Sequence, residues 1–213
     1  MSINSTQLVQ ILSKINMIME EKKLYLSELD GAIGDGDHGL NMSKGFKAVE
    51  EKIKEEDSSD IGNILKKAGM ALVLNVGGAS GPLYGTAFMK AATCVNGKSS
   101  IDIVDFYNML YEGLKGIKQR GKSDKGDKTM IDAIEPALEE LKKGIESKED
   151  SIKILEKVKE SSLKGMENTK NIIAKKGRAS YLGERSIGHQ DPGATSSFYI
   201  LNTIYEEVKK ISK

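Results

Sequence analysis

Three aspartates stand within eight positions in the run of residues 30–39, DGAIGDGDHG. Their carboxylates would repel one another strongly if they converged without a counter-charge. The intervening glycines allow a tight backbone, and all-oxygen ligands suit Mg²⁺ or Ca²⁺ rather than Zn²⁺. Asp30, Asp35 and Asp37 are therefore expected to hold a hard divalent cation. The alternative is a polar turn in which Asp37 caps the helix that follows.

Two small-residue segments lead into predicted helix N-termini. They are residues 77–81, GGASG, before Pro82, and residues 191–196, DPGATS. Such entries present unpaired N–H groups at the positive end of the helix dipole, which favours phosphate. Each segment alone is also typical of an ordinary flexible turn. Beside the carboxylate cluster, the two together indicate a site for phosphate with Mg²⁺.

Arg178 and His38 are further candidates. An arginine can bind a phosphate with two hydrogen bonds and balance charge in a transition state. The alternative for Arg178 is a solvated loop arginine. His38 has the chemistry to contact a phosphate or a metal-bound water, against the alternative of a solvated turn histidine, and His189 is expected to be solvated.

Residues 116–123, GIKQRGKS, formally match the phosphate-loop pattern GxxxxGK[ST]. That pattern acts only between a β-strand and a helix. Residues 104–114 before it have helical periodicity, and a polar loop follows. The match is therefore rejected, although Gly121 is expected to lie near a ligand.

Apolar residues recur at helical spacing through almost the whole chain, and no convincing alternating strand pattern is present. Short connections predict antiparallel neighbours, so the fold class is all-α, an eight-helix antiparallel up-and-down barrel or bundle. Residues 70–76 are apolar enough to imitate a buried strand but continue a helical pattern. The predicted helices cover residues 8–29, 40–53, 61–74, 82–93, 101–117, 129–141, 152–173 and 195–211.

Alternate loops of such a bundle lie at the same end. The first, third, fifth and seventh loops carry most of the loop glycines and both histidines. The other three, roughly residues 56–60, 94–100 and 144–150, are plain turns. The site is therefore expected in the loops at one end, which are residues 30–39, 77–81, 120–129 and 175–193.

Composition limits the function classes. Lys+Arg is 32 and Asp+Glu is 31, a balance that argues against a nucleic-acid binder. The one cysteine, Cys94, cannot form an internal disulfide, and no apolar run of about 18 residues is present. The N-terminal residues lack the features of a secretory signal. We expect a single cytoplasmic domain over residues 1–213, with no membrane or nucleic-acid partner.

Together these segments resemble the nucleotide-binding L subunit of dihydroxyacetone kinase. The resemblance covers the whole chain and implies an eight-helix barrel in which Asp30, Asp35 and Asp37 hold Mg²⁺ that bridges the phosphates of ADP or ATP. It rests on residues 34–42 (GDGDHGLNM), 77–85 (GGASGPLYG), 126–130 (GDKTM), 178–186 (RASYLGERS) and 191–194 (DPGA).

The same resemblance implies roles for further residues. Arg178 and His38 would be catalytic, with Arg178 offsetting charge on the moving phosphoryl group. In the family, dihydroxyacetone is carried covalently on a histidine of a separate K subunit, so catalysis is expected to need that partner. The implied nucleotide contacts are His38, Asn41, Ala79, Ser80, Gly121, Met130, Arg178, Asp191, Pro192 and Gly193.

Two branches of the family remain open. In one, ADP stays bound as a coenzyme and is rephosphorylated by a phosphohistidine donor protein of the sugar phosphotransferase system, which the length of 213 residues favours. In the other, ATP is an exchanging substrate, and the acceptor is dihydroxyacetone or a related ketose or polyol. A sensor that signals its nucleotide state to a transcription factor is a further alternative. A nucleotide-free scaffold is disfavoured by the one-sided glycines and aspartates, and a homodimer is left open.

Overall fold

The computed structural model describes residues 2–54 and 59–212. Over those ranges the chain forms eight α-helices, joined by short connections except for the long one between α7 and α8. Part of the predicted second loop, residues 56–60, lies outside the described residues. The helices are α1 Ser5–Ile33, α2 His38–Ile53, α3 Ile61–Asn75, α4 Ser80–Cys94, α5 Ile103–Gly121, α6 Ile131–Glu146, α7 Ser151–Asn168 and α8 Pro192–Ile211.

The helices close into a ring. Each helix packs on the next in sequence, and α8 returns to pack on α1. This confirms the predicted all-α, eight-helix up-and-down barrel. None of the helices in the described ranges carries a stretch long and apolar enough to cross a membrane.

The interior of the ring is aliphatic. Met19, Phe46, Ile64 and Leu141 are fully buried in one continuous core. A central cavity of about 150 Å³ is lined almost wholly by apolar side chains. Because this interior offers few polar groups, binding chemistry has to lie at the ends of the barrel.

The two ends differ in how their helices begin. At one end all four helices start with a side-chain cap, supplied by Asn4, Asp60, Asp102 and Asp150. A capped N-terminus has already used some of its free N–H groups. At the opposite end, α2, α4 and α6 start without a hydrogen bond from the side chain of the N-cap residue. We call this second end the open end.

Several details differ from the sequence prediction, including the ends of α1, α5 and α6, which lie four or five residues beyond the predicted ones. Strands β1 (Ile3–Asn4) and β2 (Ser100–Ile101) pair antiparallel, a short pairing that was not predicted. Two residues are too few to leave an alternating pattern. Helix α5 starts at Ile103 rather than 101 because Asp102 caps it, and α7 ends at Asn168 rather than 173.

The early end of α7 has a visible cause. The chain tightens there into a 3-10 turn, Thr169–Asn171. The Thr169 hydroxyl donates to the carbonyl of Met166 and accepts from the N–H of Asp191 at 3.0 Å. The long connection that follows contains a 3-10 segment, Arg178–Ser186. The end of α7 therefore coincides with a contact to a residue distant in sequence, Asp191. The local pattern of apolar residues carries no information about that contact, so it did not predict where the helix ends.

Candidate metal and phosphate site

The three aspartates converge where α1 ends and α2 begins. Carboxylate oxygens of Asp30, Asp35 and Asp37 all lie within 4.8 Å of one another. Asp30 is held by the backbone, since its Oδ2 accepts the N–H groups of Asp37 at 2.9 Å and His38 at 3.2 Å. The side chain of Asp37 makes no cap hydrogen bond to α2, so the alternative role as a helix cap is not the one adopted. The cluster has the ligand chemistry of a hard divalent cation.

Arg178 lies at the edge of this cluster. Its Nη2 is 2.8 Å from Oδ2 of Asp35, and its side chain is 69% exposed. The residue starts the 3-10 segment of the long connection between α7 and α8. The ion pair therefore brings the seventh loop onto the first, and it leaves much of the guanidinium accessible to a ligand.

A network of neutral hydrogen-bonding groups joins three helix N-termini. The ring nitrogens of His38, at the start of α2, lie 3.1 Å from Oγ of Ser80 and 2.9 Å from Oγ of Ser196. The hydroxyl of Tyr84 lies 2.8 Å from the same Ser196 oxygen and donates to the carbonyl of Gly193. The network fixes α2, α4 and α8 relative to one another.

Burial determines the charge of His38. The residue is 7% exposed. Its pKa falls to about 4 because the interior disfavours the charged imidazolium, although Asp30 and Asp37 act in the opposite direction. Near pH 7 the imidazole is neutral, with one ring nitrogen as donor and the other as acceptor. His38 is thus suited to orienting hydroxyl groups rather than to supplying positive charge.

Asp191 caps α8 from a buried position. Its Oδ2 accepts the N–H of Ala194 at 2.7 Å. Desolvation raises the pKa of this carboxyl to about 7. Pro192 follows as the first residue of α8, and Gly193 lies against Met130, since a Cβ atom added to Gly193 would be 3.6 Å from the Met130 nitrogen. The Asp191 turn and Met130 are therefore neighbours.

The remaining predicted residues also lie at the open end. The side-chain amide of Asn41 lies against Gly77, where an added Cβ would come within 2.9 Å of it. Ala79 is the exposed residue before α4. Gly121 is the last residue of α5, and its Cβ position is 3.4 Å from Cδ2 of Leu83 in α4. All the predicted site residues thus come from loops or helix ends at one end of the barrel.

The rejected phosphate-loop match also falls at this end. Residues 116–121 form the last turns of α5, and Lys122 closes the helix in a left-handed conformation with φ 47°. A helix, not a strand, precedes the match, so the structure agrees with its rejection.

Three residues of this region were given no role by the sequence analysis. Tyr84 and Ser196 lie inside the quoted motifs. Their hydroxyl groups lie on otherwise buried helix faces, and a polar group in such a position could have indicated a hydrogen-bond network. Lys128 is 1% exposed. It also stands inside a quoted segment, residues 126–130, but its burial could not be foreseen, because a lysine in a polar loop is normally solvated.

The fold and the geometry define a class of site. An all-α barrel carries at one end a carboxylate cluster, an exposed arginine and the N-terminus of α4, which has no side-chain cap. This arrangement has the chemistry to bind a phosphate-bearing ligand together with a hard divalent cation.

Comparison with known families agrees with this class. The family described as DAK2 domain matches residues 32–206. The chain belongs to this family.

Two bacterial relatives match along nearly their whole length. PEP-dependent dihydroxyacetone kinase, ADP-binding subunit DhaL, of Escherichia coli K12 is 44% identical over 204 residues, which are 96% of this chain and 97% of the relative. PTS-dependent dihydroxyacetone kinase, ADP-binding subunit DhaL, of Lactococcus lactis is 44% identical over 200 residues, or 94% and 96% of the two chains. Triokinase/FMN cyclase of Rattus norvegicus is 32% identical over 205 residues, and this chain spans 35% of its length.

A solved structure has the same fold. The dihydroxyacetone kinase of C. freundii in complex with AMP-PNP and Mg²⁺ superposes with a TM-score of 0.71 at 21% identity, over 97% of this chain and 34% of that one.

Proposed function

We propose that this chain is the nucleotide-binding subunit of a dihydroxyacetone kinase. Its coenzyme is ADP, which is phosphorylated to ATP while bound. The phosphoryl group then passes from ATP to dihydroxyacetone on a separate K subunit. A phosphohistidine donor of the phosphotransferase system, in the cytoplasm, restores the coenzyme. The observation that carries the proposal is the meeting of the three-aspartate cluster, Arg178 and the uncapped N-terminus of α4 at the open end.

The aspartate cluster is suited to Mg²⁺. Asp30, Asp35 and Asp37 offer carboxylate oxygens within 4.8 Å of one another, a donor set that hard cations prefer. Mg²⁺ bound there would neutralise negative charge on the phosphates of the nucleotide. The three carboxylates also place negative charge where a nucleotide alone would be repelled, so nucleotide binding is expected to require the cation.

The helix N-termini are suited to the phosphates. At Ala79 and Ser80, α4 begins without a side-chain cap, and among the described residues no atom lies within 4 Å of a Cβ built on the neighbouring Gly78. His38 holds the Ser80 hydroxyl, and Arg178 supplies the positive charge that phosphoryl transfer needs. The other contacts proposed for the nucleotide are Asn41, Gly121, Met130, Asp191, Pro192 and Gly193.

A partner subunit is expected at the same end. Large apolar side chains are exposed around the site, including Leu40 at 55%, Leu74 at 78% and Tyr181 at 88%. Exposed apolar groups clustered around a site are typical of a surface that another protein covers. The K subunit with its bound acceptor would cover this rim and exclude water from the transfer.

The metal assignment is tested by substituting the cluster. In Asp35→Asn and Asp37→Asn we expect Mg-dependent ADP affinity to fall at least about a hundredfold, because a neutral amide is a much weaker ligand for a hard cation. Isothermal titration with Mg-ADP measures this, and circular dichroism checks that helicity survives. The matched control is Glu146→Gln, which removes an exposed carboxylate at the opposite end of the barrel. Unchanged affinity in both cluster variants would refute the metal site.

The donor is identified by the nucleotide that the protein retains. Freshly purified, desalted protein is denatured, and the released nucleotide is quantified. Stoichiometric ADP means a coenzyme held through many turnovers and supports the phosphohistidine donor. An empty protein that binds Mg-ATP reversibly indicates the alternative, an ATP-dependent kinase domain. The relatives named PEP- or PTS-dependent are 43–45% identical to this chain, whereas those named triokinase/FMN cyclase are 31–32% identical. This difference favours the first outcome, retained ADP.

A further inference from the structure

Lys128 is a buried lysine beside the candidate site. It lies in the connection between α5 and α6, and it is 1% exposed. Its backbone adopts a left-handed conformation with φ 62°, which is costly for a residue with a side chain. Lysine is seldom fully buried unless its ammonium group has partners. Such an unfavourable position needs a compensating interaction.

Four backbone carbonyls surround its ammonium group. Nζ lies 2.5 Å from the oxygen of Thr169, 2.8 Å from that of Ser186 and 2.6 Å from that of His189. The oxygen of Ile172 is farther away, at 3.3 Å. The three short contacts match the three N–H bonds of a charged ammonium group. A neutral amine has only two N–H bonds, so this geometry favours the protonated lysine, whose pKa burial lowers while Asp191 and Asp132 act in the opposite direction.

Hydrogen bonds to residues 126, 127 and 129 hold the backbone on both sides of Lys128 in the sequence. The carboxylate of Asp132, in the first turn of α6, accepts the N–H of Gly126 at 2.6 Å and the N–H of Thr129 at 2.8 Å. The N–H of Lys175 also donates to the carbonyl of Asp127 at 3.0 Å. The left-handed turn is thereby fixed, and it directs the lysine side chain inward.

The four carbonyls belong to the segment that carries Arg178 and leads to Asp191. Thr169 and Ile172 precede Arg178, whereas Ser186 and His189 follow it. A single cation therefore gathers both ends of the loop at one point. The same charge opposes the upward shift that burial gives the pKa of Asp191.

We propose that Lys128 is a positioning residue for the nucleotide site: its ammonium group binds the carbonyls of residues 169–189 and so fixes the loop that places Arg178 beside the carboxylate cluster. This inference rests on the proposed function for its effect on nucleotide binding. Its effect on the loop itself stands independently.

The primary test is Lys128→Met, which keeps the apolar stem and removes the charge. We expect the rate of tryptic cleavage within residues 169–189 to rise at least about tenfold, because the loop contains exposed basic residues and loses its central anchor. We expect the dissociation constant for Mg-ADP to rise about tenfold or more. The matched control is Lys125→Met, in the same connection, where an exposed lysine pairs with Glu139.

Chemical rescue separates charge from packing. Lys128→Cys is made in a Cys94→Ser background so that one thiol remains. The thiol is alkylated in urea either to the aminoethyl form, which restores an ammonium group, or to the neutral S-propyl form of the same length. After refolding, the aminoethyl protein is expected to regain protease resistance and Mg-ADP affinity, whereas the S-propyl protein is not.

Two results would overturn the inference. One is a Lys128→Met loop as resistant to trypsin as that of the unsubstituted protein. The other is equal rescue by the neutral and the charged analogue. If the unsubstituted protein binds no Mg-ADP, the proposed function fails, and the cleavage rates still decide the role of Lys128.

Discussion

At the scale of single residues, burial sets the charges of the site. His38 and Asp191 are both buried, and their pKa values move to about 4 and to about 7. Both shifts favour the neutral form because a protein interior solvates charge poorly. The charged groups Asp35, Asp37 and Arg178 lie at the surface in front of them. The site thus has a neutral, hydrogen-bonded interior behind an ionic surface.

Asp191→Asn tests the charge of this interior. The folded state raises the pKa of Asp191 above its usual 3.8, so it binds the proton more tightly than the unfolded chain, and stability falls as pH rises from about 4 through 7. Asparagine can still accept from Ala194 and carries no charge. We therefore expect Asp191→Asn to be more stable than the unsubstituted protein by at least about 1 kcal/mol at pH 8, and the gain to shrink at pH 5.

Urea unfolding at the two pH values, with EDTA and without nucleotide, measures this difference. The control is Asp150→Asn, an exposed cap at the opposite end. A gain of equal size at pH 5 and pH 8 would contradict the assignment, as would a gain that the control reproduces.

At the scale of helices, close approach of α1 and α2 builds the carboxylate cluster. A Cβ atom placed on Gly39 would lie 1.9 Å from the backbone oxygen of Lys23 in α1. No side chain can occupy that position without separating the two helices. Asp30 on α1 and Asp37 before α2 depend on this same crossing. The glycine therefore contributes to the carboxylate cluster through helix packing.

Gly39→Ala is expected to lower the free energy of unfolding by about 1–3 kcal/mol, the usual cost of overpacking, and to weaken Mg-ADP binding. Gly113→Ala in α5 is the matched control, because the nearest described atom to its Cβ would be 3.3 Å away and alanine favours the helix. Chemical denaturation and titration of both variants provide the comparison. Equal losses in the two would show that the close crossing does not matter.

At the scale of the whole molecule, ring closure makes one continuous interior. Buried side chains from every helix of the described ranges join a single large core, and α8 packs on α1. Every second connection, together with the helix ends beside it, lies at the open end. A site assembled in this way depends on the complete ring, because no pair of adjacent helices contains all its groups.

The ring is therefore expected to unfold as one cooperative unit, in line with the prediction of a single domain. Urea transitions followed by far-ultraviolet circular dichroism and by tyrosine fluorescence should coincide, since Tyr84 and Tyr205 are both buried in the core. Transitions with distinct midpoints would mean that part of the barrel folds independently.

Local sequence patterns predicted most of the fold and the composition of the carboxylate cluster. Helical periodicity and short connections predicted the eight helices, because each helix buries one apolar stripe along its own sequence. The aspartate and glycine spacing of residues 30–39 predicted the cluster, because those residues are neighbours in the chain. Some helix boundaries were predicted wrongly. The end of α7, predicted at residue 173, lies at Asn168, next to a contact with a distant segment.

Only the tertiary structure decided how the loops meet. His38 and Ser196 are 158 positions apart, and nothing in either segment specifies the other as a hydrogen-bond partner. The ion pair of Arg178 with Asp35 and the carbonyl cage of Lys128 are likewise long-range contacts. The sequence by itself determined which chemistry is present and at which end of the barrel it lies. Ring closure determined which groups touch and which are buried, because desolvation and distance depend on the whole packed molecule.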